Sequence, residues 1–279
     1  MDKLLIIDGT NLLFQMFFGM PSRIINKEGK AIQGTLGFIG ALKKIITKTN
    51  PSHLVVLFDG EKGSERTLVN QDYKANRPDY STLSDQDNPF TQLQDVYNAL
   101  DYLKIKHTES YMCETDDLIA SYALTYGNNL KVVISSFDSD FFQLINENVT
   151  IFRYRGDKSV TCDCDYIREK YNICPSVYAD FKSLTGDSAD NIKGACKVGP
   201  KTASQLINAY GSLENLLNNA DKIEKSALKQ SICECKERLK DNYKIIKLSN
   251  CHALPFDISE LKYTLPSIPT KDILRAINL

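Results

Sequence analysis

Nine acidic side chains fall in five short motifs of the 279-residue chain: Asp8 in IIDGTN, Asp59 in LFDGEKG, Glu114, Asp116 and Asp117 in CETDDLIA, Asp138 and Asp140 in FDSDFF, and Asp187 and Asp190 in GDSADN. The three histidines, His53, His107 and His252, stand outside every one of these motifs, which disfavours a Ser-His-Asp or Cys-His mechanism. Ligand sets made only of oxygen select hard cations such as magnesium or manganese. This many carboxylates in one cleft would repel one another, and two divalent ions about 3.5–4 Å apart are the usual remedy in enzymes that cut phosphodiesters. Taken singly, Asp8 or Asp59 could cap a following helix, the CETDD acids could serve a helix dipole, and GDSADN could be an Asx turn. Five clusters at strand ends and helix starts in one chain are much harder to explain as caps.

Two further stretches could touch phosphate. KVGPKTA, 197–203, sets a glycine turn before a helix whose free N–H groups would meet an anion. It is not a P-loop: Gly194 and Gly199 have the right spacing, but Pro200 stands where the lysine of G-x-x-x-x-G-K-[ST] belongs. YKANRP, Tyr73 to Pro78, spaces Lys74 and Arg77 so that one helical turn would present both cations on a side, with Tyr73 beside them as a stacking surface. Residues 61–100 nevertheless hold four basic side chains against seven acidic ones. Over the whole chain the formal charge is -1, from 34 Lys and Arg against 35 Asp and Glu. Setting the nine motif acids aside leaves 26, so the remaining surface is basic by eight charges and compatible with a polyanion.

The elements that must position these residues can be read from periodicity. KLLIID, HLVVLFD and LKVVISSFD are apolar runs ending in aspartate, as expected of parallel strands covered on both faces. Between them, TLGFIGALKKIITK places Leu36, Ile39, Leu42, Ile45 and Ile46 on one helical stripe, and TDDLIASYALTYG does the same with Leu118, Ile119, Tyr122 and Leu124 before a glycine suited to a C-cap. A doubly wound α/β sheet follows, with ligands expected outside the carboxyl ends of its strands, where Asp8, Asp59 and Asp138 fall. The polar stretch 61–91 is too long for an ordinary connection, and beyond about 170 the chain reads mainly helical. An apolar content of 42% supplies a core, and no apolar run is long enough for a membrane span or secretory signal. The eight cysteines show no C-x-x-C spacing and are expected to be reduced thiols.

In order and spacing, IIDGTNLLF, LFDGEKG with QDYKANRP, ETDDLIA, ISSFDSDFFQL and TGDSADNIKG followed by KVGPKTA resemble the bacterial 5′-3′ exonuclease or flap endonuclease family, which includes the 5′-nuclease domain attached to bacterial DNA polymerase I. The resemblance implies a PIN-like (Rossmann-like) α/β fold, with a mostly parallel sheet flanked by helices, a helical arch insertion and a C-terminal helix-hairpin-helix region. The α/β core would occupy 1–170 with its arch at about 61–100, and the helix-hairpin-helix region and helices packing back on the core 171–279. The family is one of structure-specific nucleases that cut DNA 5′ flaps near junctions of single strand and duplex, by a two-metal-ion mechanism using Mg2+ or Mn2+. By that resemblance Asp8, Asp59, Glu114, Asp116 and Asp117 serve a first ion, and Asp138, Asp140, Asp187 and Asp190 a second. Lys74 and Arg77 would contact the scissile phosphate from the arch, with Tyr73 beside them. Residues 191–210 would grip duplex phosphates through Lys197, Gly199, Lys201 and Thr202, with a potassium ion at the hairpin. The chain departs from the family pattern at Lys197-Val198-Gly199, where Gly-x-Gly is usual, at ETDD in place of EADD, and in the acidic arch segment STLSDQDN. A stand-alone monomer is expected, cytoplasmic and nucleoid-associated, with DNA as partner and no membrane. A non-catalytic DNA-junction binding protein and an endoribonuclease on the same scaffold are the alternatives. The complete acid set argues against the first and the hairpin against the second.

Overall fold

The computed structural model describes residues 2–60, 66–111, 113–250 and 253–279. Its central sheet contains β1 (Lys3–Asp8), β2 (His53–Phe58), β3 (His107–Glu109), β4 (Lys131–Ser135), β5 (Val149–Arg153) and β6 (Val160–Cys162), in the order β3-β2-β1-β4-β5-β6. All pairings are parallel except that of β6. Successive side chains of a strand point to opposite faces, and β1 shows the result: Leu4 and Ile6 join one hydrophobic cluster, Leu5 and Ile7 the other.

Helices α1 (Gly9–Gly19), α2 (Gln33–Thr49), α3 (Arg66–Val69), α4 (Leu93–Tyr102) and α5 (Thr115–Tyr126) fall between the strands. The expected stripe of α2 is largely realised, since Ile39, Leu42, Ile45 and Ile46 are buried and pack with Leu5 and Ile7. On α5 the expected stripe fails at Leu124, which is 48% exposed. That position is only two residues past Tyr122 and so turns onto the opposite face of the helix. In the insertion, the described residues before α4 form α3, turns and two short 3-10 turns at Tyr80–Thr82 and Pro89–Gln92. Pro78, Pro89 and the run of Ser, Asp and Asn keep these pieces short.

After β6 come α6 (Cys164–Tyr171) and α7 (Tyr178–Thr185), then a small antiparallel hairpin of β7 (Gly186–Asp187) and β8 (Ile192–Lys193). The remaining helices are α8 (Pro200–Tyr210), α9 (Leu213–Asn218), α10 (Ser226–Glu234), α11 (Lys236–Ile246) and α12 (Thr270–Ala276). Leu206, Leu216 and Leu239 of this region share the hydrophobic cluster of Leu4 and Ile6. Buried amides fix the packing. Asn242 Nδ2 of α11 donates to the carbonyls of Ser183 (3.0 Å) and Lys193 (2.9 Å), and Gln143 Nε2 donates to that of Ile246 (3.0 Å). Among the described residues no helix is long and apolar enough to cross a membrane.

Cys113 corrects one expectation, because it is disulfide-bonded, whereas Cys162, Cys164, Cys174, Cys196, Cys233 and Cys235 are free. Spacing along the chain cannot report which thiols approach in space, and a disulfide depends only on the latter.

Candidate active site

Strand β1 has β2 on one side and β4 on the other, so the connections diverge at its carboxyl end and leave a crevice there. Asp8 is the last residue of β1, Asp59 follows β2, Asp138 lies three residues past β4, and Asp116 sits in the first turn of α5. All four line one cleft of about 470 Å³, together with Asn11, Lys74 and Arg77. Asp8 does cap α1, accepting from the Asn11 N–H at 3.0 Å, and its other oxygen accepts from Ser136 Oγ at 2.8 Å. Capping and facing the cleft are thus compatible roles for one carboxylate. The Asp59 N–H donates to Thr10 Oγ1 at 2.9 Å, which ties the end of β2 to the start of α1.

Crowding leaves an electrostatic mark on this first group. Burial, followed by the neighbouring Asp59, pushes the Asp8 carboxyl up to about 7 against the pull of its hydrogen bonds. Asp116 is raised well above the carboxylate range by burial and by Asp138, Asp59 and Asp8, with Lys74 opposing. Groups perturbed in this way by one another face a common space, which a cation would relieve.

A second group lies beside it. Asp140, Asp187 and Asp190 each offer a carboxylate oxygen, and the three oxygens lie within 4.8 Å of one another. Asp138 links the two groups by accepting from the Asp140 N–H at 2.8 Å. Asp187 and Asp190 are held by the β7–β8 hairpin, in which Asp187 Oδ1 accepts from the Ala189 N–H at 2.9 Å as an Asx turn does. Gly186, at φ +76, is required there: a Cβ would lie 2.5 Å from the nitrogen of Gly194 and from the carbonyl oxygen of Ile192.

Here the carboxylates meet protein cations. Lys182 Nζ contacts Asp140 Oδ1 and lies 2.5 Å from Asp187 Oδ2, and Arg77 Nη2 lies 2.9 Å from Asp190 Oδ1. Burial acts to raise Asp187, but Lys182 and the backbone N–H donors outweigh it and hold the carboxyl below its ordinary value. Burial likewise raises Asp140, with Lys182 pulling the other way.

Glu114 and Asp117 stand differently from the other seven. Arg66 contacts Glu114 Oε2 and lies 2.8 Å from Asp117 Oδ1, which also accepts from the Ser249 N–H at 2.8 Å. Lys74 Nζ lies 3.3 Å from Glu114 Oε2, and Tyr73 OH 3.4 Å from it. These two acids therefore clasp the base of the insertion as well as bordering the cleft. Glu114 Oε1 remains buried with no hydrogen-bond partner. An orphaned carboxylate oxygen beside an all-oxygen donor set fits a hard divalent cation, so the residues present suit such an ion.

Tyr73 to Pro78 forms turns, not a full helical turn, but it brings Lys74 and Arg77 to the same cleft. The Lys74 N–H donates to the Asp190 carbonyl at 3.1 Å, Asn76 Nδ2 to that of Ser188 at 3.0 Å, and Asn191 Nδ2 to that of Asp72 at 2.8 Å. Burial alone would lower the Lys74 ammonium, yet Asp116, Tyr73 and Glu114 hold it above its ordinary value and charged. Lys197, Gly199 and Lys201 are exposed outside this cleft, with Gly199 as N-cap of α8 and Thr202 in its first turn. Lys197 takes φ +61, so the left-handed position of the turn is kept although a lysine fills it. Sequence reading missed Lys182, Arg66, Ser136 and Asn11. Asn11 and Ser136 lie inside quoted motifs, whereas nothing in FKSLTG marks Lys182 as an internal cation.

The chain matches the family described as 5′-3′ exonuclease, N-terminal resolvase-like domain, over residues 3–172, and that described as 5′-3′ exonuclease, C-terminal SAM fold, over 173–268. It is 30% identical to a 5′-3′ exonuclease of Aquifex aeolicus over 100% of this chain and 96% of that protein. It is also 30% identical to DNA polymerase I of Streptococcus pneumoniae over 95% of this chain, but spans only 30% of that protein's length. Among solved structures, T5 5′-exonuclease with divalent metal ions (zinc) bound superposes with a TM-score of 0.74 at 21% identity, covering 99% of this chain and 100% of that one. The catalytic core of Rad2 in complex with DNA substrate gives 0.63 at 16% identity, over 99% of this chain and 85% of that one. These two likenesses concern the fold.

Proposed function

Because the chain belongs to the 5′-3′ exonuclease family, we propose that it hydrolyses DNA phosphodiester bonds near junctions of single strand and duplex, 5′ flaps included, with two divalent ions held by its two carboxylate groups. The observation that carries this reading is the convergence of Asp8, Asp59, Asp116 and Asp138 at one strand-end crevice, beside Asp140, Asp187 and Asp190. Magnesium or manganese, when bound there, would supply an acidified water and charge neutralisation at the phosphate. Asp8, Asp59, Asp116 and Asp138 would hold the first ion with Glu114 at its border, and Asp140, Asp187 and Asp190 the second, a division that moves Asp138 from the second ion, where the resemblance puts it, because it lines the cleft of Asp8 and Asp59. Asp117 would serve the first site from behind, through Arg66, which also contacts Glu114.

The other residues divide by position. Lys74 and Arg77 reach the cleft and place positive charge where the scissile phosphate would lie, with Tyr73 backing Lys74 at 4.8 Å between ammonium and ring. At a distance from the cleft, Lys197, Gly199, Lys201 and Thr202 would take duplex phosphates at the start of α8, with a potassium ion at the hairpin. In this reading residues 1–170 carry most of the chemistry, 171–279 add Asp187 and Asp190 to the second ion and supply the duplex grip, and a monomer suffices.

Incubating the protein with a 5′-labelled flap duplex tests the reading. Magnesium should yield a product cut near the junction, and a chelator should abolish it. Cutting without regard to the junction, or survival of cutting in chelator, would contradict the proposal. Preferential cleavage of an all-RNA flap would favour the ribonuclease alternative.

A further inference from the structure

We propose that Lys182 is a built-in counter-cation of the second carboxylate group, which a divalent ion must displace from Asp140 and Asp187 in order to bind there. The inference rests on the two-ion reading given above. Lys182 belongs to α7 and is only 6% exposed, with Ala179, Phe181 and Leu184 of the same helix also buried. Burying an ammonium is unfavourable unless it is closely paired, and Lys182 is paired twice, with Asp140 and with Asp187. Those are two of the three carboxylates whose oxygens lie within 4.8 Å of one another. The ammonium therefore occupies the position from which a cation would bind both.

A divalent ion and an ammonium cannot share those oxygens at close range, because two like charges so near and so poorly solvated repel strongly. Arg77, on the third carboxylate, has a side chain that is 50% exposed and can turn toward solvent. Lys182 is enclosed and must stay near the ion it yields to. Among the described residues Asp8, Asp59, Asp116 and Asp138 have no basic side chain within ion-pair distance, and Lys74 and Arg66 reach only Glu114 at the border of that group, so a cation bridging two ligands is found in the second group. The lysine would keep the second group assembled without metal, at the cost of weaker ion binding there.

Calorimetric titration with calcium, which avoids dependence on turnover, tests this on the wild type, Lys182→Met and Lys182→Arg. The wild type should bind one ion tightly and a second more weakly. Lys182→Met should tighten the second by about tenfold or more with the first unchanged. The metal-free Lys182→Met protein should unfold at a lower temperature than wild type and gain more from calcium, and Lys182→Arg should keep the weak second site. Two ions with the second equal or weaker in Lys182→Met would overturn the inference while leaving the two-ion reading intact. A single ion in both proteins would overturn the two-ion reading as well. Should Lys182→Met fail to fold, nitrogen-15 NMR of the lysine ammonium groups in the wild type decides: the Lys182 signal should move with the second equivalent of calcium, and a signal that stays fixed contradicts displacement.

Discussion

Asp8, Asp59, Asp116 and Asp138 have no basic side chain within 4.0 Å among the described residues, whereas Asp140, Asp187 and Asp190 meet Lys182 and Arg77. The difference reaches the protons. Asp8 is pushed up by burial, Asp59 and Asp138, and Asp116 by burial, Asp138, Asp59 and Asp8, while Asp187 is held down by Lys182. The first group thus has protons alone to hold its negative charge in check, whereas the second has internal ion pairs as well, although burial still raises Asp140. Two neighbouring acid clusters of similar composition can therefore differ in what an incoming cation has to replace: protons in the first, chiefly an ammonium in the second.

Neutralising one acid in each group challenges this contrast most severely. Asp116→Asn and Asp187→Asn should each slow flap cleavage by more than about a hundredfold, as removing a charge-stabilising group does. Their metal-free stabilities should move in opposite directions. Asp116→Asn removes a crowded carboxylate and should raise the unfolding temperature in chelator. Asp187→Asn takes one partner from buried Lys182 and should lower stability by up to about 3 kcal/mol. Thermal unfolding of both variants in chelator checks the signs, and shifts in the same direction would erase the contrast. Duplex binding in calcium should survive in both.

A smaller effect comes from pH. Asp8 titrates near 7 in the fold, against about 3.9 when unfolded, so between these values the folded state holds more protons. Metal-free stability should then fall as pH rises through this window, by up to about 1.4 kcal/mol per pH unit for this one group. Asp187, with a depressed pKa, contributes in the opposite sense and only at lower pH. Denaturant unfolding at several pH values should show the decline in chelator, and Asp8→Asn should lessen it, leaving the share of Asp116 and Asp140, whose carboxyls are also raised. A profile unchanged by Asp8→Asn would rule out a protonated Asp8.

The hairpin gives the smallest effect, since it lies outside the cleft. Combining Lys197→Gly with Lys201→Ala removes two charges and suits the left-handed residue, so folding should be preserved. The slope of log K against log salt on duplex DNA should become shallower by about 0.9 for each phosphate that the protein no longer neutralises. Salt-titrated binding in calcium on two flaps of different sequence checks this, and an unchanged slope would show that these lysines do not face DNA.

Much of the architecture was legible because apolar runs ending in aspartate leave little choice but buried parallel strands, and those ends meet in space. The acids could be found in sequence for the same reason. Lys182 could not, because a lysine in FKSLTG looks like any solvated helix residue until the fold sets Asp140 and Asp187 against it. The clasp of Arg66 on Glu114 and Asp117 was hidden likewise, since around the helix start these two acids turn to Arg66 while Asp116 between them lines the cleft. Leu124 misled by being apolar at a position the helix turns outward.

Everything else depends on each carboxylate group holding one divalent ion. Anomalous scattering from crystals soaked in manganese measures this directly. Two peaks are expected, one among Asp8, Asp59, Asp116 and Asp138 and a second, filling at higher manganese, among Asp140, Asp187 and Asp190. A single peak at saturating manganese, or a second peak elsewhere in the molecule, would contradict the two-ion site.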